Sequence, residues 1–198
     1  MKYLAIASVA SLALLAACNQ GGDSAGQNAN EAVNATQDAT SGVVGQTSAM
    51  TMGANTVEGF VTGLGVSNMY ELEAAKIAAA KSTNADVKAL AAMITKDHTA
   101  AGEKLGTAVA AAGPNVTIPT ALDQRRQGLI DNLNAATPGD FDKVYLNQQV
   151  AAHNEALTLL NGFAGNTDAP ALSTLARELI APVTMHRDRA QALLDAMK

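Results

Sequence analysis

Four stretches of this chain carry apolar residues at alternating spacings of three and four, and that pattern leaves little freedom of fold. In the first stretch the seam is Phe60, Leu64, Ser67, Glu71, Ala74 and Ala78. In the second it is Val87, Ala91, Ile94, His98, Ala101, Leu105, Ala108 and Ala112. In the third it is Leu146, Val150, His153, Leu157 and Leu160, and in the fourth Leu172, Leu175, Leu179, Val183, His186, Ala190, Leu193 and Met197. An α-helix turns once in about 3.6 residues, so each set gathers on one face. Such faces must be buried, and four of them bury one another by packing roughly 20° off antiparallel. Tryptophan is absent, aromatic residues make up 3% of the chain, and Ala dominates the apolar set. Ala is the best helix former and lets helices approach closely, so the class is all-α.

The turn signals between the seams set the boundaries. The first helix is expected over Thr56–Lys81, followed by Ser82-Thr83-Asn84 with Asn84 as N-cap. The second runs over Ala85–Ala112 and stops at Gly113-Pro114. Thr120 is read as the cap of a shorter helix to Ala136, ended by Thr137-Pro138-Gly139. The third long helix spans Asp140–Phe163. Asp168 is read as the cap of the fourth, Ala169–Met197, which Pro182 should kink by removing a backbone donor. The long connection with its short helix falls between the second and third long helices, where a ferritin-like four-helix bundle places its single crossover. The bundle domain is thus residues 54–198.

The N-terminal third is different in kind. Lys2 precedes an apolar run, Tyr3–Leu15, and Leu15-Ala16-Ala17 precedes Cys18, the only cysteine. This is the layout of a secretory signal peptide, and the run is shorter than the roughly 20 residues of a spanning helix. The segment resembles a bacterial lipoprotein signal. The resemblance implies cleavage after residue 17 and acylation of Cys18, so that acyl chains hold the protein on the membrane. Asn19, rather than Asp, leans toward the outer membrane, with the domain facing the periplasm. Residues 18–53 are mostly Gln, Asn, Gly, Ser, Thr and Ala. They are expected to form a flexible tether, with a weak helix around Glu31–Asp38 as its one structured option. With Cys18 lipidated, no thiol is left for a disulfide, a nucleophile or a thiolate metal site. The net charge of −5 argues against a nucleic-acid partner. No protein partner can be named.

All three histidines, His98, His153 and His186, lie mid-seam on different helices, and Glu71 holds the matching place on the remaining one. Glu73 is a rival, because Val66, Tyr70, Glu73, Ile77 and Ala80 form a second seam. Buried imidazoles and carboxylates must be paired, hydrogen-bonded or metal-bound. One reading is a mononuclear metal site of Glu71, His98, His153 and His186 for Zn, Fe or Cu, with Glu73, Asp97 and Tyr145 around it. Another is a polar network in which these groups satisfy each other. A third leaves the histidines half-exposed at the Pro182 kink. Counting rise from the helix ends sets His153 and His186 roughly 12 Å apart along the axis, while His98 and His153 can be level, so convergence of all four is left open. Thr95, Val150 and Val183 stand three residues before the histidines, so no Glu-x-x-His exists and di-iron chemistry is rejected. Met93 and Met185 flank two of the histidines and suit a soft ion, although Met is more often a gap-filler. Arg125-Arg126 reads as a solvated face. No nucleophile triad or phosphate loop can be picked out, and an enzyme is not expected.

Met69-Tyr70-Glu71-Leu72-Glu73, Lys96-Asp97-His98, Phe141-Asp142 with Tyr145, Gln149-Val150 and His153, and Ala181-Pro182 with His186 occur in an order and spacing that resemble a known family. It is the group of ferritin-like bacterial envelope proteins catalogued as domain of unknown function 4142. The resemblance implies an extracytoplasmic four-helix bundle and a shared polar site at Glu71, Asp97, His98, His153 and His186. It carries no established activity.

Overall fold

In the computed structural model, the described residues are 34, 36–42, 44–45, 56–113 and 116–197. The expected signal segment, Cys18 and most of the expected tether lie outside them. Six helices and no strand occur among the described residues. Helix α1 takes in residues 34, 36–42 and 44–45, α2 is Val57–Lys81, α3 Ala85–Ala112, α4 Gln124–Ala135, α5 Phe141–Phe163 and α6 Pro170–Asp195. No helix among them is long and apolar enough to cross a membrane.

Local chemistry explains the ends. Thr56 caps α2 by accepting from Gly59 N, and Asn84 caps α3 by accepting from Asp86 N and Val87 N. Helix α3 ends at Gly113, whose φ of 112° suits only a residue without Cβ. Two expected caps fall elsewhere. Asp123, not Thr120, caps α4, because its carboxylate reaches Arg126 N. At α6 the cap is Ala169 with Pro170 at the first turn, and it is Asn166 Oδ1 that accepts from Asp168 N and Ala169 N. Pro tolerates the first turn because its missing donor would be unpaired there in any case. Helix α6 continues through Pro182 as one element. Its expected seam end also shifts: Leu194 is buried while Met197 is 40% exposed.

The four long helices form a closed ring of contacts, α2 on α3, α3 on α6, α6 on α5 and α5 on α2. Helix α4 lies across α2 and α5. The interior is apolar at two ends and polar between them. One apolar cluster holds Phe60 stacked on Phe163, with Leu64, Leu105, Leu160, Leu172 and Leu179. The other holds Tyr70, Val87, Ile94, Leu133, Phe141, Leu146 and Ala190. Every long helix crosses from one cluster to the other through a short polar stretch: Ser67–Glu71, Asp97-His98, Gln149–His153 and His186.

Part of the expected tether is not a coil. Helix α1 lies against α4 and α5, where Asp38 accepts from Asn132 Nδ2 and Gln148 Nε2, both at 2.7 Å. Gly42 meets Ala151 closely enough that a Cβ there would sit 3.2 Å from its methyl, which permits the contact. The weak helix allowed around Glu31–Asp38 thus lies further along the chain, and polar bonds rather than an apolar face hold it down.

Arg125-Arg126 is not a solvated face either. Arg125 Nη2 donates to both oxygens of Glu155 at 2.8 and 2.9 Å, and Arg126 Nη2 to Glu155 Oε1 at 2.6 Å. Arg126 also pairs with Asp123 at 2.6 Å, and Arg125 Nη1 donates to Ser41 O of α1. A charge pair read as solvated from two adjacent letters is buried because a carboxylate thirty residues away reaches both.

Candidate metal centre

The polar belt brings the three histidines together. Ring centroids are 5.8 Å apart for His98–His153, 5.6 Å for His98–His186 and 5.4 Å for His153–His186. All three side chains are buried. The axial offset expected for His153 and His186 is overturned, since the ends of α5 and α6 are not flush. His153 lies ten residues before the end of α5 and His186 sixteen residues into α6, so rings 5.4 Å apart require α6 to begin roughly 9 Å beyond the end of α5.

Each ring has one nitrogen committed to an oxygen. His98 Nδ1 donates to Asn68 Oδ1 at 3.0 Å, His153 Nδ1 to the carbonyl of Gln149 at 2.9 Å, and His186 Nε2 to Asp97 Oδ2 at 3.0 Å. A carbonyl or a carboxylate can only accept, so those nitrogens carry the hydrogen. The other nitrogen of each neutral ring then holds a bare lone pair. These are His98 Nε2, His153 Nε2 and His186 Nδ1, all buried and all without a partner. One ring nitrogen from each histidine lies within 4.8 Å of one from each of the others. Bare imidazole nitrogens cannot bond one another, and on three clustered rings they are a donor set for a cation. An oxygen acceptor behind each ring is the arrangement that orients metal-bound imidazoles and fixes their tautomers.

Electrostatics keep the rings neutral. Burial lowers the His98 pKa well below its ordinary value, with His153 and His186 adding to the effect. Burial brings His153 down to about 3. Burial also lowers His186, although Asp97 opposes it.

The carboxylates divide. Glu71 is the buried member of the rival pair. Its Oε1 lies 3.7 Å from His153 Nδ1, on the ring's occupied side, and it is not among the grouped ligand atoms. Burial raises its pKa to about 8, against the lowering influence of Gln149 and Arg126. Glu73 faces outward and pairs with Lys76 at 3.7 Å. Asp97 backs His186, accepting from its Nε2 at 3.0 Å. Tyr145 is buried near Glu71, and its hydroxyl has no partner. Met185 is 48% exposed, and Met93 packs against the apolar cluster of Tyr70, so neither joins the histidines.

Sequence reasoning missed Asn68 and Gln149, which hold two of the three rings. For Asn68 the available signal was an amide on an otherwise apolar helix face; Gln149 acts through its backbone carbonyl, which leaves no mark in the sequence. Gly102 was also missed: a Cβ there would sit 3.0 Å from Asn68 Nδ2, so its absence makes room for the amide that orients His98.

Fold and site together define an all-helical protein built around a buried cluster of three histidines that can hold a metal ion. Residues 43–193 match the family described as a domain of unknown function (DUF4142), and the chain belongs to that family. No curated protein and no solved structure matches it.

Proposed function

We propose that this is a lipid-anchored extracytoplasmic metal-binding protein, whose ferritin-like four-helix bundle holds one transition-metal ion, Zn, Fe or Cu, on His98, His153 and His186. The observation that carries the proposal is the set of three unpartnered lone pairs, each with its ring held from behind by an oxygen. A tetrahedral ion with bonds of roughly 2.0–2.1 Å keeps its nitrogens roughly 3.4 Å apart, so small ring rotations close the set. Burial favours the neutral imidazoles that ligation requires. The proposed role is binding, with no reaction assigned.

An ion that binds only the native state stabilises it by about 2.7 kcal/mol at a hundredfold excess over its Kd. The melting temperature should therefore rise with Zn, Fe or Cu near neutral pH and fall back on chelation. His98→Ala and His186→Ala should each erase the response. If no ion moves the melting temperature between pH 6 and 8, the cluster is a structural polar network and the proposal is wrong.

The proposed anchor rests on Leu15-Ala16-Ala17-Cys18, and Asn19 in place of Asp favours the outer membrane, with the domain facing the periplasm. Cys18→Ser should abolish incorporation of labelled palmitate and leave the precursor uncleaved. Equal labelling of the variant would refute it.

A further inference from the structure

An ion on the three rings has to reach them from outside. The histidines, Asn68 and Gln149 are buried, and Glu71 is buried beside His153. Among the side chains that hold the rings, Asp97 is the exception, because it is 30% exposed. Its Oδ2 accepts from His186 Nε2 at 3.0 Å, and among the described residues nothing bonds its Oδ1. Asp97 stands on α3, which packs on α6. The cations nearby are engaged by other acids: Arg189 by Asp86, Lys104 by Glu178 and Arg187 by Asp188. Among the described residues no Lys or Arg pairs with Asp97. It is a part-exposed carboxylate with a free oxygen and a candidate ligand ring behind it.

Two features loosen the wall at that point. Pro182 lies one turn before His186 on α6. It has no N–H for the carbonyl of Glu178, so the helix lacks a bond there. Asp97, Pro182, His98 and His186 also border a void of about 20 Å³. Interiors are otherwise close-packed, so the void is slack into which a ring can tilt. We propose that Asp97 is the capture residue for the proposed metal: a cation docks on its free oxygen where α3 meets α6, and the His186 ring tilts into the void to let it pass to the bare nitrogens. The inference rests on the metal reading above, and it gives Asp97 a task beyond orienting His186. A carboxylate that only orients its histidine governs how long the ion stays, and its loss lowers affinity through faster release. A carboxylate at an entrance raises the local cation concentration and sets the rate of arrival, in a salt-dependent way.

The test follows uptake of Co(II) by the full chain, stripped of metal beforehand, through the visible bands of the bound ion in stopped flow. Release is followed separately by chasing with excess chelator, since an orienting role shows there. Asp97→Asn keeps an acceptor for His186 Nε2 and removes the charge. Its association rate constant should fall by about tenfold or more and lose most of its dependence on salt. Glu178→Gln removes an equal charge from the same pair of helices, away from His186. It should leave uptake within about twofold of the original, because exposed charges at a distance are screened. Unchanged uptake in Asp97→Asn overturns the inference and leaves Asp97 as an orienting residue only. Equal slowing by Glu178→Gln also overturns it, since net charge then explains the effect. Should Asp97→Asn not fold, Pro182→Ala decides. Restoring the helix bond should slow uptake and release together with Kd unchanged, and unaltered rates overturn the inference. Failure of the original protein to take up Co(II) at all overturns the metal reading itself.

Discussion

Glu71 and His153 touch at 3.7 Å, yet their protonation pulls stability in opposite directions. Glu71 holds its proton to about pH 8 when folded and releases it near 4.5 when unfolded. Its contribution is therefore complete below pH 4.5 and is lost as pH rises through 8. The histidines behave inversely. Unfolded they take up protons below 6.5, while the buried rings stay neutral, His153 down to about pH 3. Their contribution is complete above pH 6.5 and is lost as pH falls from there toward the folded values. Each unmatched proton contributes a slope of about 1.4 kcal/mol per pH unit. The metal-free protein should be most stable near pH 6.5, fall steeply toward pH 5, and lose about 1–2 kcal/mol by pH 8. Urea midpoints in chelator at pH 5, 6.5 and 8 check this, and Glu71→Gln should flatten the alkaline limb and steepen the acid one, each by about 1.4 kcal/mol per pH unit.

The helices themselves draw on two sources of stability, and they differ in what holds them. The long ones rest on buried seams. The short α4 carries fewer apolar residues and is fixed by charge, with Arg125 and Arg126 clasping Glu155 of α5. Side chains of Arg126 and Glu155 are each only 11% exposed, and losing Glu155 leaves Arg125 without its carboxylate and Arg126 with Asp123 alone. Glu155→Ala should cost about 3–5 kcal/mol. Lys104–Glu178 is a pair of similar length, 2.8 Å, but about half-exposed on both sides. There Glu178→Ala should cost less than about 1 kcal/mol. Chemical denaturation of the two variants side by side decides it, and equal losses would show that burial is not the distinguishing factor.

For the whole molecule, the polar belt is the main organising feature. It divides the interior into two apolar clusters, and each long helix contributes a polar step at the same level. Helix α1 adds a piece outside that plan. Its bonds from Asp38 to Asn132 and Gln148, and from Ser41 to Arg125, are few and polar. Each such bond contributes about 0.5–1.5 kcal/mol net. A soluble chain begun at residue 54 should therefore be less stable than one begun at residue 30, by about 1–3 kcal/mol. Thermal unfolding of the two forms measures it, and indistinguishable melting would mean α1 contributes nothing to the domain.

The sequence by itself determined the long helices, most of their ends and the seam positions of His98, His153 and His186. Periodicity and capping are local, and a run such as Val87, Ala91, Ile94 can bury only one face. The burial of Glu71 over Glu73 was open from sequence, because both lie on apolar seams four residues or fewer from the same neighbours. The height at which each histidine sits was not legible, since it depends on how far one helix slides past the next. The turn after Phe163 and the packing of α6 decided that. Tertiary structure alone also chose which nitrogen of each ring stays bare, by placing Asn68, the Gln149 carbonyl and Asp97 behind the rings. It likewise turned Arg125 and Arg126 inward and seated Asp38 on α4 and α5. In each case the deciding partner lies far away in the chain, or behind a ring whose orientation packing had to set first.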